Sequence, residues 1–336
     1  VGVERAAAAL PSIALGAALA GSARAGVSRA IDLEAPEAPR RWSDAAAARP
    51  TRARFALEVG GIAIPYRVLA LPVLPGQEVP IRSSGEEGGA LVAAAAGGHL
   101  VPTGKSRWTW VAPSEPGFHA VRVVSREARD TIDLTFMVMH PADHVREGTL
   151  HGYAIGRYQP RSPWMSPAYD PPAGFVEVRP ETANILVSPS LRLGQFLCKQ
   201  PGEPAYMAAS PLLLIQLEAI LEALRESGHA TRGLAVMSGF RTPIYNRAIG
   251  NTTDFSRHLW GDAADVYVDD DGDGRMDDLD GDGRIGVEDA RWLARVAERV
   301  MTTAVDVPDG GVAAYPATAT HGPFVHVDAR GTLTRW

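Results

Sequence analysis

An all-β, sandwich-like domain followed by an α+β domain, in which a small antiparallel sheet is flanked by helices, is the architecture this sequence predicts. Two observations carry it. Between residues 51 and 142, apolar positions alternate with polar ones, first at Phe55, Leu57 and Val59 and again at Ile132, Leu134, Phe136 and Val138, the period of half-buried strands. Beyond residue 185 the period changes. Leu214, Leu217, Ile220, Leu221 and Leu224 form one helical stripe, and short apolar runs follow at Leu234–Met237, Val266–Val268 and Val325–Val327, each beside polar residues.

Taken in order, residues 1–25 carry Arg5, an apolar stretch from Ala6 to Ala20 and the small-residue pattern Ala23-Arg24-Ala25. That pattern is expected of a secretory signal peptide and places the mature chain in the periplasm or cell envelope; an Ala-rich low-complexity start is the alternative. Residues 26–50, rich in Ala, Pro and Arg, read as a linker. Turn signals at Pro75-Gly76, Gly88-Gly89 and Pro116-Gly117 cut 51–142 into short strands, with Trp108 and Trp110 on one of them. A proline-rich connecting segment spans 143–184. Ser210 is the expected N-cap of the helix, Pro211 suits its first position and Gly228 its end.

Composition narrows the function classes. The 336 residues are 46% hydrophobic and 21% charged, with a formal net charge of -6 and no long Lys/Arg run. A nucleic-acid partner is therefore not expected, because neutralising phosphates needs a clustered basic surface. Beyond the signal no segment reaches the roughly 20 apolar residues that span a bilayer, so no transmembrane segment is expected in the mature protein. The single cysteine, Cys198, excludes an internal disulfide.

Three residues suit a metal. His258 and Asp265 stand seven apart in Ser256-Arg257-His258-Leu259-Trp260-Gly261-Asp262-Ala263-Ala264-Asp265, a spacing that fits a loop turning back into a strand rather than one helix face. His326 lies in Phe324-Val325-His326-Val327-Asp328, where alternation puts it on the same side as Asp328. Two imidazoles and a carboxylate leave the fourth place of a zinc ion for water. Singly, each has a structural alternative, a core histidine or a capping aspartate; the combination carries the expectation. Asp328 and Ser256 are expected to orient the ligands, with a strand ion pair the alternative for Asp328. His99, His119, His140, His144, His151 and His229 match no ligand spacing and read as structural or solvated.

Ser238-Gly239-Phe240-Arg241-Thr242-Pro243, the Ser256–Asp265 segment, and His321 five residues before His326-Val327-Asp328 resemble the M15 peptidases. These are zinc D-alanyl-D-alanine carboxypeptidases and related murein peptidases, similar in fold to the peptidase-like domain of hedgehog proteins. The resemblance covers residues 185–336. It implies zinc on His258, Asp265 and His326, Arg241 on substrate oxygens, and His321 beside the zinc-bound water. It further implies hydrolysis of peptidoglycan stem peptides or cross-links, as a carboxypeptidase or endopeptidase. Pro323 stands where the dipeptidase branch carries a glutamate base, which disfavours that branch. A non-enzymatic, zinc-containing module that binds cell wall or protein is the alternative.

An acidic insertion, residues 269–289, separates Asp265 from His326. Two calcium-loop frames fit it. The main frame uses Asp278, Asp280, Asp282, Arg284 and Asp289, with Ile285 at its apolar position and a helix after it; the alternative frame uses Asp269, Asp271 and Asp273 and ends at Asp280. Both claim Asp280, so either one binds or the two share a bridging carboxylate. An unmetallated acidic loop is the other reading.

Overall fold

The computed structural model describes residues 33, 36–41, 51–85 and 90–336. The expected signal segment, most of the linker and the Gly88-Gly89 turn lie outside them.

The alternating segment folds into β1 (Arg52–Val59), β2 (Ile62–Tyr66), β3 (Val68–Val73), β4 (Glu78–Ser83), β5 (Leu91–Ala96), β6 (His99–Gly104), β7 (Arg107–Val111), β8 (Gly117–Ser125) and β9 (Asp130–Val138). These make one sheet in the order β2-β1-β4-β7-β6 and another in the order β3-β9-β8-β5. The sheets meet through aromatic side chains, since Trp110 of β7 stacks on Phe136 of β9 with ring centroids 4.2 Å apart. In β1 the predicted face is buried, with Phe55, Leu57 and Val59 at 4%, 0% and 0% exposure. In β9 both faces are buried. Its second face carries Asp133, Thr135 and Met137; Asp133 pairs with Arg40 and Arg122, and Met137 shares a small cavity with Leu213 and Leu214 of the following helix. Tertiary packing thus covers a face that alternation assigned to solvent.

After β10 (His140–Pro141), the connecting segment holds the hairpin β11 (Thr149–Leu150) and β12 (Tyr153–Ala154), and β13 (Gly174–Val178), which pairs with β10 and with β14 (Ala205–Met207). Helix α1 (Pro211–Glu226) follows, then β15 (Ala235–Ser238), the short helix α2 (Pro243–Ala248), β16 (Ala263–Tyr267), helix α3 (Val287–Thr303), β17 (Gly311–Tyr315), β18 (Phe324–Asp328) and β19 (Thr334–Arg335). The last sheet runs β15-β16-β18-β17-β19. Its first three pairings are antiparallel as expected, but β17 and β19 pair in parallel, so the sheet is mixed.

Helix α1 exceeds its predicted stripe. Gln216 and Glu218 are also fully buried, because α1 packs on α3 and also touches β3. Buried polar groups need partners. Gln216 Nε2 donates to the carbonyls of Pro308 and Asp328 at 3.2 and 3.1 Å. Glu218 accepts from Ser188 Oγ and Ser190 N, each at 2.6 Å; burial still pushes its carboxyl above the ordinary range, outweighing those bonds. Ser210 is the N-cap residue but its hydroxyl makes no capping bond; Pro211, which has no N–H to satisfy, opens the helix instead. Apolar residues of the β-rich sheets, α1, α3 and the last sheet belong to one buried cluster.

Candidate metal centre

Two strands and one turn assemble the site. Asp265 on β16 lies directly across from His326 on β18, and Ser238 on β15 faces Asp265 from the other side. His258 arrives from the turn Arg257–Trp260, which closes at Gly261 with φ of 68°. A Cβ at Gly261 would stand 2.1 Å from the carbonyl oxygen of Ala208, so both the left-handed backbone and the close approach require glycine. The turn is held by the Arg241 N–H donating to His258 O at 3.0 Å and the Tyr158 hydroxyl donating to Leu259 O at 2.7 Å.

Three ligand atoms converge. His258 Nε2 lies 3.2 Å from His326 Nδ1 and 3.2 Å from Asp265 Oδ1, and His326 Nδ1 lies 3.0 Å from the same oxygen. All three residues are buried. The far sides of the rings are also committed: His258 Nδ1 donates to Gly239 O at 2.7 Å, and His326 Nε2 is 3.3 Å from Asp328 Oδ2. With those outer nitrogens protonated, the inner nitrogens are lone pairs, and three acceptors then face one point. A cation resolves that repulsion. Ligands of a tetrahedral zinc at 2.0–2.1 Å stand about 3.3 Å apart, so the triangle fits zinc without rearrangement.

The electrostatics agree for Asp265 and His258, whereas without an ion His326 is held toward its protonated form. Burial works to raise the Asp265 carboxyl, but His258 and His326 beside it outweigh burial and hold it well below the usual carboxylate range. Burial pushes His258 down despite Asp265, favouring the neutral ligand form. Burial also works against protonated His326, yet its hydrogen bonds to Asp265 and Asp328 win and raise it. Asp328 is fixed in turn by Arg330, whose Nε and Nη2 donate to its two oxygens at 2.7 and 2.5 Å. Asp328 thus sits against the outer side of the His326 ring while paired with Arg330.

The other expected residues fall differently. Arg241 lines the cleft, but its Nη2 donates to Asp265 Oδ2 at 2.5 Å and its Nε to Ser238 Oγ at 2.8 Å. Ser256 lines the same cleft. His321 does not: its Nδ1 lies 2.8 Å from Gly322 O, its ring meets that of Phe324 edge to face, and it lines a separate cavity with Tyr267 and Met237. The cleft, about 450 Å³, adds residues that spacing did not reveal: Phe255, Tyr315, Phe324 and Trp336, with Arg257 and Arg330. An interleaving of aromatics and arginine near the ligand motifs is the only sequence trace of this wall.

The acidic insertion forms two groups, Asp269, Asp271, Asp273 and Asp278, Asp280, Asp282, each with carboxylate oxygens close enough to share an ion. Their backbones repeat nine residues apart. Gly272 and Gly274 donate to Asp269 as Gly281 and Gly283 donate to Asp278. Asp280 joins the second group alone. Asp289 is in neither group: its Oδ1 accepts from Leu279 N in the loop, and its Oδ2 from Gly286 N, one of the unpaired N–H groups at the start of α3. Arg284 N is engaged by Asp282 Oδ1 at 2.8 Å.

Residues 191–279 match the family model Peptidase M15. The matched segment contains Arg241, His258 and Asp265 and ends before His326. No curated protein and no solved structure matches the chain. The Peptidase M15 match implies a metallopeptidase domain, and the buried His258–Asp265–His326 group is compatible with its metal site. Among the described residues no helix is long and apolar enough to cross a membrane.

Proposed function

We propose that the chain is a zinc-dependent hydrolase of peptide bonds in peptidoglycan stem peptides or cross-links. The observation that carries this is the triangle of His258, Asp265 and His326 at the floor of an open cleft, within and beside the Peptidase M15 match. Zinc held by these three residues supplies a Lewis acid for the scissile carbonyl and lowers the pKa of a water to about 7. The chain's own residues do the rest. Gly239 O and Asp328 fix the two imidazoles. Arg241, anchored by Asp265 and Ser238, keeps its planar cation at the cleft wall, where it pairs with a carbonyl or carboxylate oxygen of the substrate. Phe324, Tyr315 and Trp336 give the open cleft an aromatic wall beside the reacting bond. His321, expected beside the zinc-bound water, lies outside the cleft with its ring against Phe324, and this geometry gives it no part in the reaction. Export to the periplasm or cell envelope, expected from residues 1–25, brings the chain to this substrate.

The alternative, a zinc-containing module that binds wall or protein without cleaving, draws on two observations. Arg241 is already paired with Asp265, and His321 stands outside the cleft. One experiment decides. Purified muropeptides are incubated with the zinc-loaded and the chelated protein and the product masses read. A zinc-dependent hydrolysis product is expected; its absence from every muropeptide moves the conclusion to the binding module.

Calcium in the acidic insertion is the second cofactor we propose. Asp278, Asp280 and Asp282 would hold it, with the Asp269, Asp271 and Asp273 group as the alternative frame. Because Asp289 caps α3, calcium there orders the start of the helix that packs against β17 and β18. Adding calcium to the zinc-loaded protein is expected to raise its melting temperature by several degrees. An unchanged melting curve together with no calcium retained on gel filtration counts against the proposal.

A further inference from the structure

Outside the cleft, a second pair of imidazoles faces a single carboxylate. His140 on β10, His151 at the β11–β12 turn and Glu177 on β13 each offer one atom within 4.8 Å of the other two. Glu177 Oε2 lies 3.1 Å from His140 Nε2 and accepts from the hydroxyl of the buried Tyr206 at 2.9 Å. That hydroxyl lies 3.1 Å from His151 Nδ1. The remaining oxygen, Glu177 Oε1, is taken by Arg179 Nε at 2.7 Å.

The construction repeats that of the Asp265 site. There, Arg241 holds one carboxylate oxygen and the other faces two imidazoles whose ring centroids are 5.0 Å apart; here, Arg179 holds one oxygen and the imidazoles are 4.9 Å apart. In both, an arginine on the far oxygen leaves the other oxygen to its partners; here that oxygen meets His140 directly and His151 by way of the Tyr206 hydroxyl. The two sites share no residue.

The placement of His151 is a second observation. It is the first of the two residues in the β11–β12 turn, and both His151 and Gly152 have positive φ, 48° and 87°. A turn of that kind favours Asn-Gly, and a histidine bears the left-handed backbone at a steric cost. Its ring meets those of His140 and Tyr206 edge to face.

We propose that His140, His151 and Glu177 bind a second zinc-class divalent cation, beside the Tyr206 hydroxyl, which ties the β11–β12 turn to the β10-β13-β14 sheet. Two nitrogens and one oxygen suit zinc rather than calcium, which takes six to eight oxygens. His140 and Tyr206 are buried while His151 is exposed, so the ion enters from the His151 side.

The competing account is a hydrogen-bonded network with no ion, in which His140 and Tyr206 simply donate to Glu177. Two substitutions separate the accounts. Glu177→Gln keeps an acceptor for both donors, and His151→Asn places in the turn a residue it favours. A plain network tolerates either; a metal site loses a ligand.

The test uses the full chain carrying His258→Ala, which disables the first site, in saturating calcium to occupy the acidic insertion. Zinc is added, the sample gel-filtered and the metal counted by mass spectrometry, with melting curves run in parallel. The His258→Ala chain is expected to retain one zinc and to melt higher with zinc than without. Adding Glu177→Gln or His151→Asn is expected to abolish both, leaving the zinc-free melting temperature within a few degrees. Retention of zinc by either double variant, or none by His258→Ala alone, overturns the assignment. Wild-type stoichiometry judges the first site separately.

Discussion

Replacing His258 with alanine is expected to leave a folded chain whose hydrolysis of muropeptides falls by at least about a thousandfold. The magnitude follows from what the ion contributes. Several kcal/mol of transition-state stabilisation depend on it, and every ~1.4 kcal/mol is tenfold in rate. With His258 gone, only Asp265 and His326 remain, too few protein ligands for a zinc that must also keep a water. Folding should survive, because the backbone of the turn is held by Arg241 N–H on His258 O and by Tyr158 on Leu259 O, neither of which involves the ring. The lost bond to Gly239 O leaves a buried carbonyl unpaired at a cost of about 1–3 kcal/mol. Asp328→Asn provides the graded comparison. It keeps all three ligands but weakens the hold on His326, so metal affinity should drop about 10–100-fold and added zinc should restore the rate. Zinc titrations of activity, with circular dichroism on each variant, check both. Rescue of His258→Ala by zinc to near the wild-type rate would remove it from the ligand set.

The largest stability effect is expected at Trp110→Ala, a loss of about 3–5 kcal/mol. Trp110 is fully buried between the two β-rich sheets, where its ring stacks on Phe136 and its Nε1 donates to Gly97 O at 3.1 Å. Truncation empties the largest fully buried side-chain volume in the described residues and strands that carbonyl. Trp110→Phe keeps a stacked ring and gives up the donor, so its cost should be far smaller, nearer the ~1 kcal/mol of one hydrogen bond plus the lost area. Tightness is visible from the backbone side too: a Cβ on Gly98 would stand 2.6 Å from the Trp110 ring. Urea unfolding midpoints for the two variants measure the difference. Equal, sub-1 kcal/mol effects would mean that the sheets do not depend on this ring.

The grouping of His258, Asp265 and His326 was legible because its geometry follows from local rules. A turn ending in Gly261 feeds a strand that carries Asp265, and alternation on a neighbouring strand turns His326 to the same face. The β1 face was legible for the same reason. What periodicity could not show is which second faces become covered. Met137 and Glu218 are buried by packing between elements distant in sequence. Asp289 illustrates two demands on one side chain: a loop frame assigns it to calcium, while its Oδ1 accepts from Leu279 N in the loop and its Oδ2 from Gly286 N at the start of α3. His140 and Glu177 are 37 residues apart on short strands without a motif, so only the paired backbone brings them together. Arg241 was found by its motif, whereas its bond to Asp265 depends on rotamers that spacing does not encode.

The strand pairing of Asp265 with His326 joins positions separated by 61 residues, across the acidic insertion, α3 and β17. An ion held by both is thus a cross-link as well as a reagent. By the loop-closure estimate for a covalent link, fastening so long a segment restricts the unfolded chain by roughly 4 kcal/mol, an upper limit for a bond that can exchange. The ligand set is complete only once β18 has docked against β16. On the proposed reading, a chain in which β18 has not yet paired with β16 would lack His326 at the site and would be unreactive.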